Sequence, residues 1–107
     1  MRPPVDKRKI ALYVITNTKT GEQYVGLALI SQPGALGVKQ AIRRRAQKHV
    51  QRANAENKDW GLCNNIRRYG SENFSYGLLE VVRGKAAAHV RELEYIRAYH
   101  PVLNTFR

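Results

Sequence analysis

IALYVITNTKTGEQYVGLA, residues 10–28, is the stretch whose reading decides the fold. Ile10 to Asn17 is rich in β-branched and aromatic residues, the composition of a strand. Thr18-Lys19-Thr20-Gly21 is turn chemistry, and Glu22 to Ala28 reads as a second strand, so the two close into a hairpin. With a four-residue loop at 18–21, Asn17 faces Glu22, which pairs Ile15 with Tyr24 and Tyr13 with Gly26. Side chains two residues apart share a face, so Tyr13 and Tyr24 lie diagonally on one side of the sheet. Glycine at 26 predicts an open space beside Tyr13, and two phenols facing a hole can form a site. Ordinary strand aromatics are the competing reading, and the pair alone favours it.

Working outward, 29–37 (LISQPGALG), with one proline and two glycines, predicts a loop packed by its own apolar residues. Val38 to about Asn54 carries good helix formers at helical period. Asp59 is the expected N-cap of a second helix that runs to Tyr69 and stops at Gly70. Phe74 to Val82 is a third strand, and Lys85 to Tyr99 a third helix ended by His100-Pro101. There is no internal repeat and no low-complexity tract. The order ββααβα describes an α+β domain, a small, mainly antiparallel three-stranded sheet flanked by helices. Residues 1–9 (MRPPVDKRK) are basic and broken by proline and predict a mobile arm, leaving 10–107 as the folded domain.

One hundred and seven residues suit one domain, and 43% hydrophobic residues suffice for a modest core. Nineteen Lys and Arg against eight Asp and Glu leave +11. A surplus of that size repels itself in the folded state, and its usual use is to meet an anion, most commonly a phosphate backbone. A membrane surface would call for a basic amphipathic helix with large apolar residues opposite the charge, and none stands out. The single cysteine, Cys63, excludes an internal disulfide framework and a Cys-rich zinc site. With no apolar run of spanning length and no signal-peptide pattern at Met-Arg-Pro-Pro-Val-Asp, the expectation is a cytoplasmic protein that meets nucleic acid and no membrane.

The helix from Val38 projects Val38, Ile42, Ala46 and Ala53 onto one apolar arc. Arg45, His49 and Arg52 line one border of that arc, while Arg43, Arg44 and Lys48 point further into solvent. An arginine at the rim of a core face can offer its planar fork to a phosphate while its stem stays buried. On the last helix Glu92 falls among Ala88, Ile96 and Tyr99, whereas Glu94 lies far around. A carboxylate inside an apolar arc is costly unless a cation meets it: a divalent ion brought with a phosphate, or one of the many arginines. Arg67 and Arg68 beside Tyr69 suit a backbone-tracking groove and equally a plain basic surface. Asn104, after Pro101, can bond a turn or a ligand.

In this order, these residues resemble the GIY-YIG nuclease family. Ala11-Leu12-Tyr13 and Tyr24-Val25-Gly26 look like its two strand motifs, with TNTKTGEQ as the hairpin turn between them. Arg45-Ala46-Gln47-Lys48-His49 is similar to its Arg-xxx-His helix, NNIRRYGSENFSYGLLEVV to the run into its third strand, and RELEYIRAYHPVLNT to its closing helix and asparagine. The likeness covers about residues 10 to 105. Each piece is common alone; five in order are hard to obtain by chance.

The resemblance implies a DNA endonuclease that hydrolyses phosphodiesters with one divalent ion, Mg²⁺ or Mn²⁺, leaving 5′-phosphate and 3′-hydroxyl ends. It makes Glu92 the metal ligand, because the family's glutamate lies four residues before the isoleucine that Ile96 matches. It makes Tyr13 the candidate base or water-positioning group, with Tyr24 and His49 completing the network, Gly26 beside them and Asn104 supporting the edge. It gives Arg45 the scissile phosphate, with Arg52, Arg44, Lys48, Arg67 and Arg68 as further DNA contacts. Two departures stand out. Ala11-Leu12 replaces Gly-Ile, and the run from Tyr24 to Arg45 is longer than usual, which leaves Arg44 as the alternative to Arg45. No separate DNA-binding region accompanies the module here, so specificity would come from the module, the 29–37 loop, the arm, a homo-oligomer or a DNA-recognition partner. The competing reading is a catalytically inactive basic nucleic-acid-binding module of the same fold.

Overall fold

The computed structural model describes residues 6–54 and 61–104. In chain order the elements are β1 (Lys9–Asn17), β2 (Gln23–Leu29), α1 (Gly34–Asn54), α2 (Gly61–Tyr69), a 3₁₀ turn (Ser71–Asn73), β3 (Phe74–Arg83) and α3 (Lys85–Tyr99). The sheet is antiparallel throughout, ordered β2-β1-β3. This is the α+β, ββααβα architecture expected from the sequence.

β1 is central, and its near-continuous apolar run follows from burial on both faces. Ala11, Tyr13 and Ile15 face one side and Leu12 the other, all fully buried. On the Tyr13 side Ala41, Ile42 and Ala53 of α1 and Leu62, Cys63 and Ile66 of α2 close the core with Phe74 and Leu103. On the Leu12 side lies α3: Arg91 bonds Glu80, which sits across the sheet from Leu12. The hairpin register is the expected one, Ile15 opposite Tyr24 and Tyr13 opposite Gly26. Its turn is closed by Asn17 N–H to Glu22 O at 2.8 Å and Gly21 N–H to Asn17 O at 2.8 Å, with Gly21 at φ +80° supplying the left-handed residue.

Two sequence expectations need correction, and a third falls outside the described residues. Residues 34–37 of the expected 29–37 loop are the first turn of α1, and Leu29 ends β2. Two glycines argue against helix, yet each has a use where the chain enters α1. Gly34, at φ +77°, turns the chain into the helix, and at Gly37 a Cβ would lie 1.9 Å from the Gln32 carbonyl oxygen. Asp6 to Lys9 of the expected arm are tied down: Gly84 N–H donates to Arg8 O at 2.8 Å, and Lys85 N–H at the start of α3 to Asp6 at 3.0 Å. The Arg8 bond and the α3 amide hold the Asp6 carboxyl well below the usual range. Asp59, the expected N-cap, lies outside the described residues. Among those residues no helix is long and apolar enough to cross a membrane.

Candidate active site

The hairpin sets two phenols on one face, and α1 lays an imidazole against them. His49 is 2% exposed, and its Nε2 stands 2.9 Å from the Tyr13 hydroxyl. Tyr24 meets the same imidazole edge-on, ring centroids 5.2 Å apart, and lies 6.3 Å from Tyr13. The space expected beside Gly26 is not open. A Cβ at 26 would lie 2.5 Å from the Tyr13 hydroxyl and 2.8 Å from Tyr24 Cε1, so the phenols themselves fill it. Glycine at 26 therefore lets Tyr13 lean across β2 toward α1. Beside Tyr13 the β1–β3 ladder slips by one residue, Tyr13 opposite Leu78 and Leu12 opposite Glu80, which leaves Leu79 as a bulge.

Burial sets the protonation of this cluster. Desolvation first, and then the Arg45 and Arg52 charges, push His49 down to about 4, so the imidazole is neutral at pH 7. Desolvation likewise pushes the Tyr13 phenol up; the neighbouring Tyr24 adds to the rise and a hydrogen bond with Arg45 offsets part of it. Tyr24 is also raised, mainly by burial, and it senses both Arg45 and Glu92. All three groups are neutral at physiological pH. Two polar atoms here, Arg45 Nε and His49 Nδ1, are buried with no hydrogen-bond partner among the described residues. Buried donors and acceptors in folded proteins are nearly always paired, with protein, ordered water or ligand, so two orphans in one cluster call for a polar partner from outside the chain.

The expected border of α1 is the one that forms. Arg45 and Arg52 are half-buried beside His49, whereas Arg43, Arg44 and Lys48 are exposed. Arg44 reaches away to Ser31 Oγ at 3.3 Å, so Arg45 is the arginine at the phenols. Arg67 spans α2 and the end of α1 through the Ala53 carbonyl at 3.0 Å and Asn64, and Arg68 lies over Tyr69 at 5.4 Å. Neither contact joins them to the Tyr13–His49 cluster.

Glu92 comes in from α3. Its side chain is 22% exposed, burial raises its carboxyl against the opposing pull of His89, and its charge is felt at Tyr24. The arginine partner weighed from the sequence is not there: among the described residues the basic side chain that reaches its carboxylate is the His89 imidazole, at 3.6 Å. Arg91 is held by Glu80 and Glu94, which also removes Glu94 as a free carboxylate. Around Glu92, Ala88 is buried and Ile96 half-buried, but Tyr99 is 44% exposed and meets Tyr95 edge-on. No group of three or more metal-ligating side chains converges among the described residues. Glu92 still fits one hard cation, since Mg²⁺ is commonly held by one or two carboxylates plus substrate phosphate and water.

Asn104 supports the edge through backbone contacts. Its amide accepts from Val25 N–H and donates to Val25 O, both at 2.8 Å, so one side chain completes the free edge of β2 between Tyr24 and Gly26. Leu103 N–H adds a bond to Gln23 O at 3.0 Å. The sequence reading missed His89, one turn before Glu92. It also missed the chain Asn17–Asn65–Glu22, at 2.6 and 3.2 Å, that docks α2 on the hairpin turn. The i, i+3 spacing of His89 and Glu92 carried that signal; Asn65, 48 positions from Asn17, left none. A separate groove of about 940 Å³ between α1 and β3, lined by Val38, Ile42, Ala46, Val50, Tyr76 and Leu78 among others, contains none of the candidate site residues. No protein-family profile, curated protein or solved structure matches the chain.

Proposed function

We propose that this protein is a metal-dependent DNA endonuclease of the GIY-YIG type. The observation that carries the reading is the pair of buried, unpartnered polar atoms, Arg45 Nε and His49 Nδ1, beside two neutral phenols, one of which, Tyr24, senses the charge of the half-buried Glu92. A phosphodiester is the anion a chain of charge +11 is built to meet, and its oxygens are acceptors for the orphaned guanidinium donor.

Arg45 binds the scissile phosphate and stabilises the charge that develops on its oxygens in the transition state. Tyr13 has no need to ionise. Its hydroxyl takes a proton from the attacking water while passing its own to His49 Nε2, 2.9 Å away. The neutral imidazole is free to accept, and a phosphate that offsets the Arg45 and Arg52 charges raises its proton affinity in the bound state. Tyr24 packs against the imidazole and bounds the water position. Glu92 would hold the divalent ion, Mg²⁺ or Mn²⁺, whose chemistry is to neutralise phosphate charge and stabilise the leaving oxygen. Water oxygen bonds to phosphorus as the bond from phosphorus to the 3′ oxygen breaks, and that oxygen leaves as an alkoxide that takes a proton from solvent water to become the 3′-hydroxyl, while the proton relayed from the attacking water stays on His49. The other end keeps its 5′-phosphate.

Relaxation of supercoiled plasmid tests this. Wild type nicks with Mg²⁺ or Mn²⁺, EDTA stops it, Glu92→Ala abolishes it, and Arg45→Ala slows it by about 10²–10³. Cleavage that survives Glu92→Ala overturns the assignment of the glutamate. A plasmid that shifts on a gel but stays uncut under every metal replaces the nuclease with a nucleic-acid-binding module.

A further inference from the structure

Glu92 lives in a chain with nineteen lysines and arginines, yet the group beside it is an imidazole. His89 and Glu92 stand one helical turn apart on the same face of α3. The nearby arginine, Arg91, is turned away from Glu92 by Glu80 and Glu94. The His89 Nδ1 to Glu92 Oε1 distance is 3.6 Å, longer than a hydrogen bond. It is close to the separation of two donors on one ion: bonds of about 2.1 Å at 90–110° put their ends roughly 3.0–3.5 Å apart. Exposure is graded to match, 53% for the His89 side chain and 22% for Glu92, so an ion can enter past the imidazole without burying a second charge.

We infer that His89 is a second protein ligand of the divalent ion at Glu92, and that this site selects an imidazole-accepting ion such as Co²⁺ or Ni²⁺ over Mg²⁺. The inference rests on the reading of Glu92 as a metal ligand and adds a nitrogen to its oxygen. Imidazole nitrogen suits the later first-row ions, while Mg²⁺ prefers oxygen and keeps its waters. A His-Glu pair with an open remainder of the coordination sphere leaves room for phosphate oxygens and water.

Co²⁺ and Mg²⁺, titrated into the whole protein, test it without reference to cleavage. A Co²⁺-bound imidazole gives an exchangeable N–H proton resonance displaced far outside the normal range. Wild type shows that resonance, His100→Gln keeps it and His89→Gln loses it. By calorimetry His89→Gln weakens Co²⁺ about tenfold or more and Mg²⁺ less than twofold, whereas Glu92→Gln weakens both. If His89→Gln keeps the displaced resonance and its Co²⁺ affinity while Glu92→Gln loses both, the histidine assignment fails and the glutamate site stands. If wild type binds neither ion and Glu92→Ala still cleaves, both assignments fail together.

Discussion

His49 makes a quantitative prediction that does not depend on any enzymatic activity. The imidazole is pushed from the ordinary 6.5 down to about 4 in the fold, by burial first and then by Arg45 and Arg52. Between those two values the unfolded chain binds a proton that the native state refuses. Stability therefore rises with pH across that window, is complete above about 6.5, and is lost as pH falls toward 4. A difference of this size is worth about 3 kcal/mol over the full window, and about 2 kcal/mol between pH 7 and pH 4.5. Carboxylates titrate in the same range, so the informative quantity is wild type minus His49→Gln. Urea unfolding at half-unit steps from pH 7.5 to 4.5 measures it. Wild type should lose about 2 kcal/mol more than the variant on acidification. Parallel curves would mean that His49 takes up its proton as readily in the native protein as in the unfolded chain. The neutral imidazole on which the proton relay from Tyr13 rests would then be wrong.

Gly26→Ala should cost about 1–3 kcal/mol by denaturant unfolding, because the new methyl group would lie 2.5–2.8 Å from both phenols and must displace them. The same variant should break the Tyr13–His49 hydrogen bond and lose most cleavage; a variant of unchanged stability would show that Tyr13 does not lean across Gly26. Asn104→Ala removes both bonds to Val25 and leaves its backbone groups unpaired, a loss of about 1–3 kcal/mol. Hydrogen exchange at the Val25 amide should accelerate selectively in that variant, and uniform exchange along β2 would refute the edge clamp.

The sequence by itself determined whatever depends on short-range periodicity. Alternation in β1 and β2 with a four-residue turn leaves one register that buries both faces of the central strand, so Tyr13, Tyr24 and Gly26 are placed before any tertiary contact. The 3.6-residue period likewise separates Arg45, His49 and Arg52 from Arg43, Arg44 and Lys48, and Glu92 from Glu94. Tertiary structure decided what depends on a neighbour distant in the chain. The space at Gly26 looked vacant because glycine has no side chain, and in the fold it is taken by the Tyr13 ring, whose hydroxyl bonds His49, 36 positions away. The protonation of Tyr13 and His49 turns on how completely α1 covers the hairpin, and the edge of β2 is completed by Asn104, 79 positions from Val25. Periodicity states which face a side chain takes. Desolvation and partner identity arise only when two faces meet.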